Sequence, residues 1–150
     1  MTADATLSAA SRPVRKELTV PLPPREAFAL FTQRIGDWWP ARHRDGTWRL
    51  ERRPGGTLTE RRPDGRVRRI ARVRDWQEGA RLELDWYPGR EDDAPTRLTV
   101  LFLAEGDGCR VQLTHDGWTS LAAACACAGG WEGVLRALPR RIVAPALNGR

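Results

Sequence analysis

His115 is the side chain in this chain best suited to moving a proton. It closes the stretch CRVQLTHDGW (109–118), which alternates as a strand and puts His115 on the same side as Val111 and Leu113. A neutral imidazole gives or takes a proton near physiological pH. At this position it could hydrogen-bond a ligand or act as a general base. The plainer reading, favoured here, is a buried histidine bonded to neighbouring backbone or to the cap of the last helix. His43, the only other histidine, lies in an arginine-rich loop and reads as solvated. Two histidines without carboxylates at ligand spacing predict no metal site. Cys109, Cys125 and Cys127 make an odd set whose C-x-C lacks partners, so they read as small buried thiols. No Ser-His-Asp set, phosphate loop or dinucleotide fingerprint is present, and no cofactor is expected.

A second polar candidate is a carboxylate and a guanidinium on facing strands. GGTLTERR and RVRRIARVRDW are joined by Pro63-Asp64-Gly65-Arg66. Asp-Gly at the centre of a tight loop favours a two-residue type I′ turn. That register sets Glu60 against Arg69, Leu58 against Ala71 and Arg61 against Arg68. Glu60 and Arg69 then share the inner face, where they could orient a ligand carbonyl or form an ordinary cross-strand ion pair. Arg61, Arg66, Arg68, Arg72 and Arg74 share the outer one.

The third group is aromatic. The chain holds seven tryptophans and one tyrosine. Indoles bury large areas and carry one N–H donor, which suits them to flat ligands or to core filling. Trp131 is read first as the anchor of the last helix. Trp86 serves equally as core or cavity wall. Trp38 and Trp39 are adjacent, so both cannot be core, and one is placed at a cavity mouth. Phe102 on an inner strand face and Leu135 on the last helix complete the candidate lining.

The elements that must position these groups follow from periodicity. VRKELTV (14–20) alternates as a strand. Pro24-Arg25-Glu26 opens a helix carrying Ala27, Phe28, Phe31 and Ile35, and Gly36 ends it. Asp37-Trp38-Trp39-Pro40 reads as a short turn or helical piece. Six strands follow, at TWRLERR (47–53), GGTLTERR, RVRRIARVRDW, ARLELDWY (80–87), TRLTVLFLAE and GCRVQLTHD. The last pair should share an inner face of Leu98, Val100, Phe102, Val111, Leu113 and His115. Trp131, Val134, Leu135, Leu138 and Ile142 then form the apolar stripe of a long helix, kinked at Pro139. An antiparallel sheet with helices on one side is an α+β fold.

The 150 residues suit one domain, predicted over 13–150 behind a disordered leader at 1–12. The leader has no basic start or apolar core, and no run is long enough to span a bilayer, so a cytoplasmic location is expected. The net charge is +6, and Lys16 is the only lysine. Residues 42–74 hold twelve arginines against four acids, so the basicity belongs to one part of the surface. The predicted Arg61/Arg68/Arg72 face is either solvated or covered by an acidic protein partner. Nucleic acid fits it less well, because aromatics are not interleaved with the arginines.

The order and spacing of VPLPPREAFALFT, GDWWP, LTHDGW and GWEGVLRAL resemble the helix-grip superfamily of START-like and polyketide-cyclase-like (SRPBCC) domains, over about residues 14–143. Within it the chain is similar to the branch named after the activator of the ninety-kilodalton heat-shock protein ATPase. The resemblance implies a helix-grip (START/Bet v-like) fold, a curved antiparallel sheet wrapped around a long C-terminal helix. It also implies a cavity for a small hydrophobic or aromatic molecule, lined by candidates among Trp38, Trp39, Glu60, Arg69, Trp86, Phe102, His115, Trp131 and Leu135. The expected function is therefore non-catalytic ligand binding. The alternatives are a polyketide cyclase- or dehydratase-like enzyme using His115 as acid–base, and a cochaperone-like interaction module using the arginine face.

Overall fold

The computed structural model describes residues 13–33, 35, 39, 46–87, 95–117, 131 and 134–136. The leader, Trp38, Cys125, Cys127, Pro139 and most of the last helix lie outside the described residues. Seven strands and one helix are complete: β1 (Val14–Val20), α1 (Pro24–Gln33), β2 (Thr47–Leu50), β3 (Thr57–Arg61), β4 (Val67–Gln77), β5 (Arg81–Trp86), β6 (Thr96–Glu105) and β7 (Gly108–Asp116). All pair antiparallel in one sheet of order β1-β7-β6-β5-β4-β3-β2. The N-terminal strand thus closes the sheet beside the last one. This is the sheet of a helix-grip fold, and Trp131 and residues 134–136 are helical where the gripped helix is expected.

Period-2 alternation sorts the two faces. Leu98 pairs with His115, Val100 with Leu113 and Phe102 with Val111, the inner row that the sequence predicts. Leu82 and Leu84 continue it on β5, and all of these are buried. Each such aliphatic side chain removed from water contributes about 1.5–3 kcal/mol. α1 covers one end of this face. Pro24 stands in its first turn, where no intrahelical N–H is lost, and Ala27 N–H reaches the Pro23 carbonyl at 2.9 Å. Phe28 meets Phe102 at 5.1 Å and Trp76 at 5.0 Å between ring centroids, both edge-on.

β2 stops at Leu50, three residues before the predicted end. The Glu51 carboxylate accepts the Thr57 backbone N–H (3.0 Å) and hydroxyl (2.8 Å), which turns the chain instead of extending it. These bonds also lower the Glu51 pKa from its ordinary value, the Thr57 hydroxyl most.

The β3–β4 hairpin departs from the predicted register, for a local reason. Gly65 N–H bonds the Arg62 carbonyl at 2.9 Å and Arg62 N–H bonds the Arg66 carbonyl at 2.8 Å. Pro63, Asp64 and Gly65 therefore form a three-residue loop, with Gly65 at φ +88° supplying the left-handed residue. A two-residue turn was expected. The extra loop residue sets Glu60 opposite Arg68, and Arg61 opposite Val67. A bulge after Leu58 then restores the predicted Leu58–Ala71 pair. A one-residue slip exchanges faces. Arg68 thus turns to the inner side with Glu60, while Arg69, opposite Thr59, turns outward. The predicted Glu60–Arg69 pair and the repelling Arg61–Arg68 pair are both replaced, and Arg68 does not belong to the Arg61/Arg72 face.

Outside, the middle of the sheet is neutralised from within. Arg97 binds Glu83 (2.8 Å) and Asp85 (3.3 Å), Arg74 binds Asp85 (3.2 Å), and Arg81 binds Glu83 (2.6 Å) and Asp75 (2.5 Å). Arg74, predicted as part of a bare arginine stripe, is thereby paired. Cys109 is a buried free thiol, and burial raises its pKa.

Candidate functional site

Four indoles from four separate segments converge at the end of the sheet opposite α1's phenylalanines. Trp48 comes from β2 and Trp86 from the end of β5. Trp39 follows α1 in the chain, its backbone N–H bonded to the Ile35 carbonyl at 3.1 Å. Trp131 comes from the C-terminal helical residues. Trp39 lies 4.7 Å from Trp48, 5.7 Å from Trp86 in a stacked arrangement, and 5.2 Å from Trp131 edge-on, centroid to centroid. Trp86 lies 6.3 Å from Trp48 and 6.1 Å from Trp131. Trp39, Trp48 and Trp131 are buried, whereas Trp86 is partly open. The rings rest on one another, so a molecule entering here must part them.

His115 lies beneath Trp131 and Trp86, 6.2 and 6.3 Å from their rings, with 1% of its surface exposed. Both ring nitrogens are engaged. Trp131 Nε1–H donates to Nδ1 at 3.1 Å. On the other side Nε2 stands 2.6 Å from Thr96 Oγ1. The Thr96 hydroxyl spends its one proton on the Trp86 carbonyl at 3.1 Å, so it must accept from His115. The network assigns a neutral imidazole protonated at Nε2. Burial pushes its pKa down to about 4. An imidazole held neutral, with its lone pair on an indole N–H, is a poor general base at neutral pH. The chemistry left to it is positioning Trp131.

Glu60 is the second buried polar group, 1% exposed. Its Oε2 accepts Trp48 Nε1–H at 2.9 Å. Arg68 Nη2 and Arg62 Nε approach Oε1 to 3.8 and 3.9 Å from the half-open rim. The carboxylate thus carries an indole donor on one side and two guanidinium charges on the other, which offsets the penalty of burying it.

The predicted lining residues therefore divide. Trp39, Glu60, Trp86, His115 and Trp131 are brought together, with Leu135 buried one turn beyond Trp131. Phe102 belongs instead to the opposite cluster, 5.1 and 5.8 Å from Phe28 and Phe31. Arg69 lies on the outer face, its guanidinium 4.5 Å over the Tyr87 ring. Trp48, Thr96 and Arg62 join the site without having been singled out, and Arg68 joins it from the outer face to which the sequence assigns it. Alternation in TWRL already places Trp48 on Glu60's side of the β2–β3 pair. Thr96 carries no sequence signal, because its role depends on a register set nineteen residues away. Among the described residues no three His, Cys, Asp or Glu side chains are grouped to hold a metal ion.

The family model described as activator of Hsp90 ATPase homolog 1-like protein matches residues 21–142. No curated protein sequence matches the chain. Solved structures share its fold. Protein MLL2253 from Mesorhizobium loti superposes with a TM-score of 0.72 at 17% identity, over 89% of this chain and 98% of that one. Protein NE0264 from Nitrosomonas europaea gives 0.71 at 13% identity, over 92% and 98%. CalU16 from Micromonospora echinospora gives 0.64 at 20% identity, over 91% and 78%.

Proposed function

We propose, from the premise that this chain belongs to the activator of Hsp90 ATPase homolog 1-like family, that it binds a small hydrophobic or aromatic molecule at the tryptophan cluster and catalyses no reaction on it. The observation that carries this reading is the convergence of Trp39, Trp48, Trp86 and Trp131 from four distant segments onto one end of the inner sheet face. A stable core does not require four indoles in one place. A flat apolar ligand gains most from such a wall, because every ring offers a face or an edge. Trp86, the partly open member, is the point of entry.

Binding is preferred to cyclase- or dehydratase-type catalysis because of His115. The engaged ring and the depressed pKa favour a fixed strut over an acid–base that cycles. Glu60 and its two arginines set orientation, and the indoles supply affinity.

Titration calorimetry with 2-naphthol tests the reading. A saturable one-to-one heat is expected, with a negative heat-capacity change from apolar burial. Trp86→Ala should abolish it while leaving the circular dichroism of the sheet unchanged. Absence of a saturable heat with the unaltered chain, for 2-naphthol and a panel of flat aromatics alike, overturns the proposal.

A further inference from the structure

The outer face of β2, β3 and β4 differs in charge pairing from the outer face around β5 and β6. Around β5 and β6, Arg74, Arg81 and Arg97 are matched by Asp75, Glu83 and Asp85. Toward β2 that matching stops. Arg49, Thr59 and Arg69 form a row straight across three strands, and Arg61 and Arg72 flank it on β3 and β4. Among the described residues no carboxylate pairs with Arg49, Arg61 or Arg72, and all three are exposed. The carboxylate opposite Arg72 is Asp85, and Arg74 and Arg97 already hold it. The register slip builds this patch, because it moves Arg69 outward beside Thr59 and takes Arg68 away to Glu60.

We propose that this Arg49–Arg61–Arg69–Arg72 surface docks an acidic, extended polypeptide segment of a partner protein. Neighbouring strands lie about 4.8 Å apart, and alternate residues of one strand about 7 Å apart. Arg49 and Arg69 are therefore separated by roughly 10 Å, and Arg61 lies about 7 Å along β3 from the row's centre. Carboxylates on alternate residues of an extended segment have a matching spacing of about 7 Å. Guanidinium groups suit them, because they bind carboxylates through paired N–H donors.

Two features favour a polypeptide over nucleic acid. The aromatic ring Tyr87 on this face has the Arg69 guanidinium 4.5 Å over it, which takes that side of the ring from a stacking base. Val67, the cross-strand neighbour of Arg61, is 55% exposed and gives an apolar contact that a side chain can use and a phosphate cannot. The surface is separate from the indole cluster, which faces the other side of the sheet.

Fluorescence anisotropy of a labelled peptide of alternating Glu and Ser tests the proposal on the full chain. Binding is expected at about 20 mM salt and should weaken steeply by about 300 mM, since exposed pairs are screened. Arg61→Glu with Arg72→Glu should weaken it about tenfold or more, as loss of several charge contacts does. A control with the same net charge, Arg15→Glu with Arg25→Glu at exposed sites elsewhere, should stay within about twofold of the unaltered chain. No binding at low salt overturns the proposal. So does an equal loss in both variants, which marks a general charge effect. Tighter binding of a single-stranded oligonucleotide of equal charge likewise overturns it, in favour of nucleic acid.

Discussion

Trp131 donates its indole N–H to Nδ1 of His115 at 3.1 Å, tying the C-terminal helical residues to the end of β7. The same imidazole donates its Nε2–H to the Thr96 hydroxyl on β6, and Thr96 donates to the backbone carbonyl of Trp86 on β5. One histidine thereby holds two of the four indoles in place. It works only while Nδ1 is an acceptor. A second proton there would set two N–H donors against each other.

Stability should therefore fall in acid over a defined window. The folded chain holds the His115 pKa near 4, whereas the unfolded chain takes up a proton near 6.5. Above pH 6.5 neither state is protonated and the group contributes nothing to the pH dependence. Between 6.5 and 4 the unfolded state binds the extra proton, so stability is lost as pH falls, by about 3 kcal/mol in all. Urea midpoints at pH 7, 5.5 and 4 check this. His115→Gln should start lower and show a flatter profile across that window.

Glu60 offers a second test, because its removal and its neutralisation should differ. Glu60→Ala strips the Trp48 N–H of its acceptor and leaves Arg62 and Arg68 without their carboxylate, a loss of about 2–4 kcal/mol. Glu60→Gln keeps an acceptor for Trp48 and gives up the charge facing Arg62 and Arg68, which stand beyond hydrogen-bond distance, a smaller loss of about 1 kcal/mol. Chemical denaturation ranks the two. Equal losses would show that the charge, not the indole bond, holds the carboxylate.

Gly46 controls the approach of β2. A Cβ there would lie 2.1 Å from the Arg61 carbonyl oxygen, which is backbone and cannot swing away. Gly46→Ala should push β2 from β3, move Trp48 off Glu60 and destabilise the fold by about 2 kcal/mol or more. Thermal melting gives the first quantity. Tryptophan emission, shifted red as Trp48 loses its apolar cover, gives the second.

Much of the fold was legible because alternation is a strong signal. The shared inner face of Leu98, Val100, Phe102, Val111, Leu113 and His115 follows from apolar patterning, while the pairs within it were open to a slide of the turn. His115 could be placed inside for the same reason, and Trp131 by helical spacing with Val134 and Leu135. What could not be read was loop length. Pro63-Asp64-Gly65 supports either a two-residue or a three-residue connection, and the choice decides whether Arg68 or Arg69 faces inward. Phe102 was assigned the correct face, but a strand of ten residues has two ends on that face, and only the packing of α1 decides which end it serves. Trp48 shares the inner side with Glu60 by alternation, but its tie to that carboxylate depends on the β2–β3 register, which no tight-turn signal between the two strands fixes.

The central claim is that the four indoles part to hold a small apolar molecule. Native mass spectrometry of the chain purified gently from cells tests it most directly. The account predicts a one-to-one adduct of a few hundred daltons, an order of size set by the usual capacity of such pockets, retained by the unaltered chain and missing from Trp86→Ala. A mass equal to that of the bare polypeptide in both, persisting after incubation with flat aromatic compounds, would contradict it.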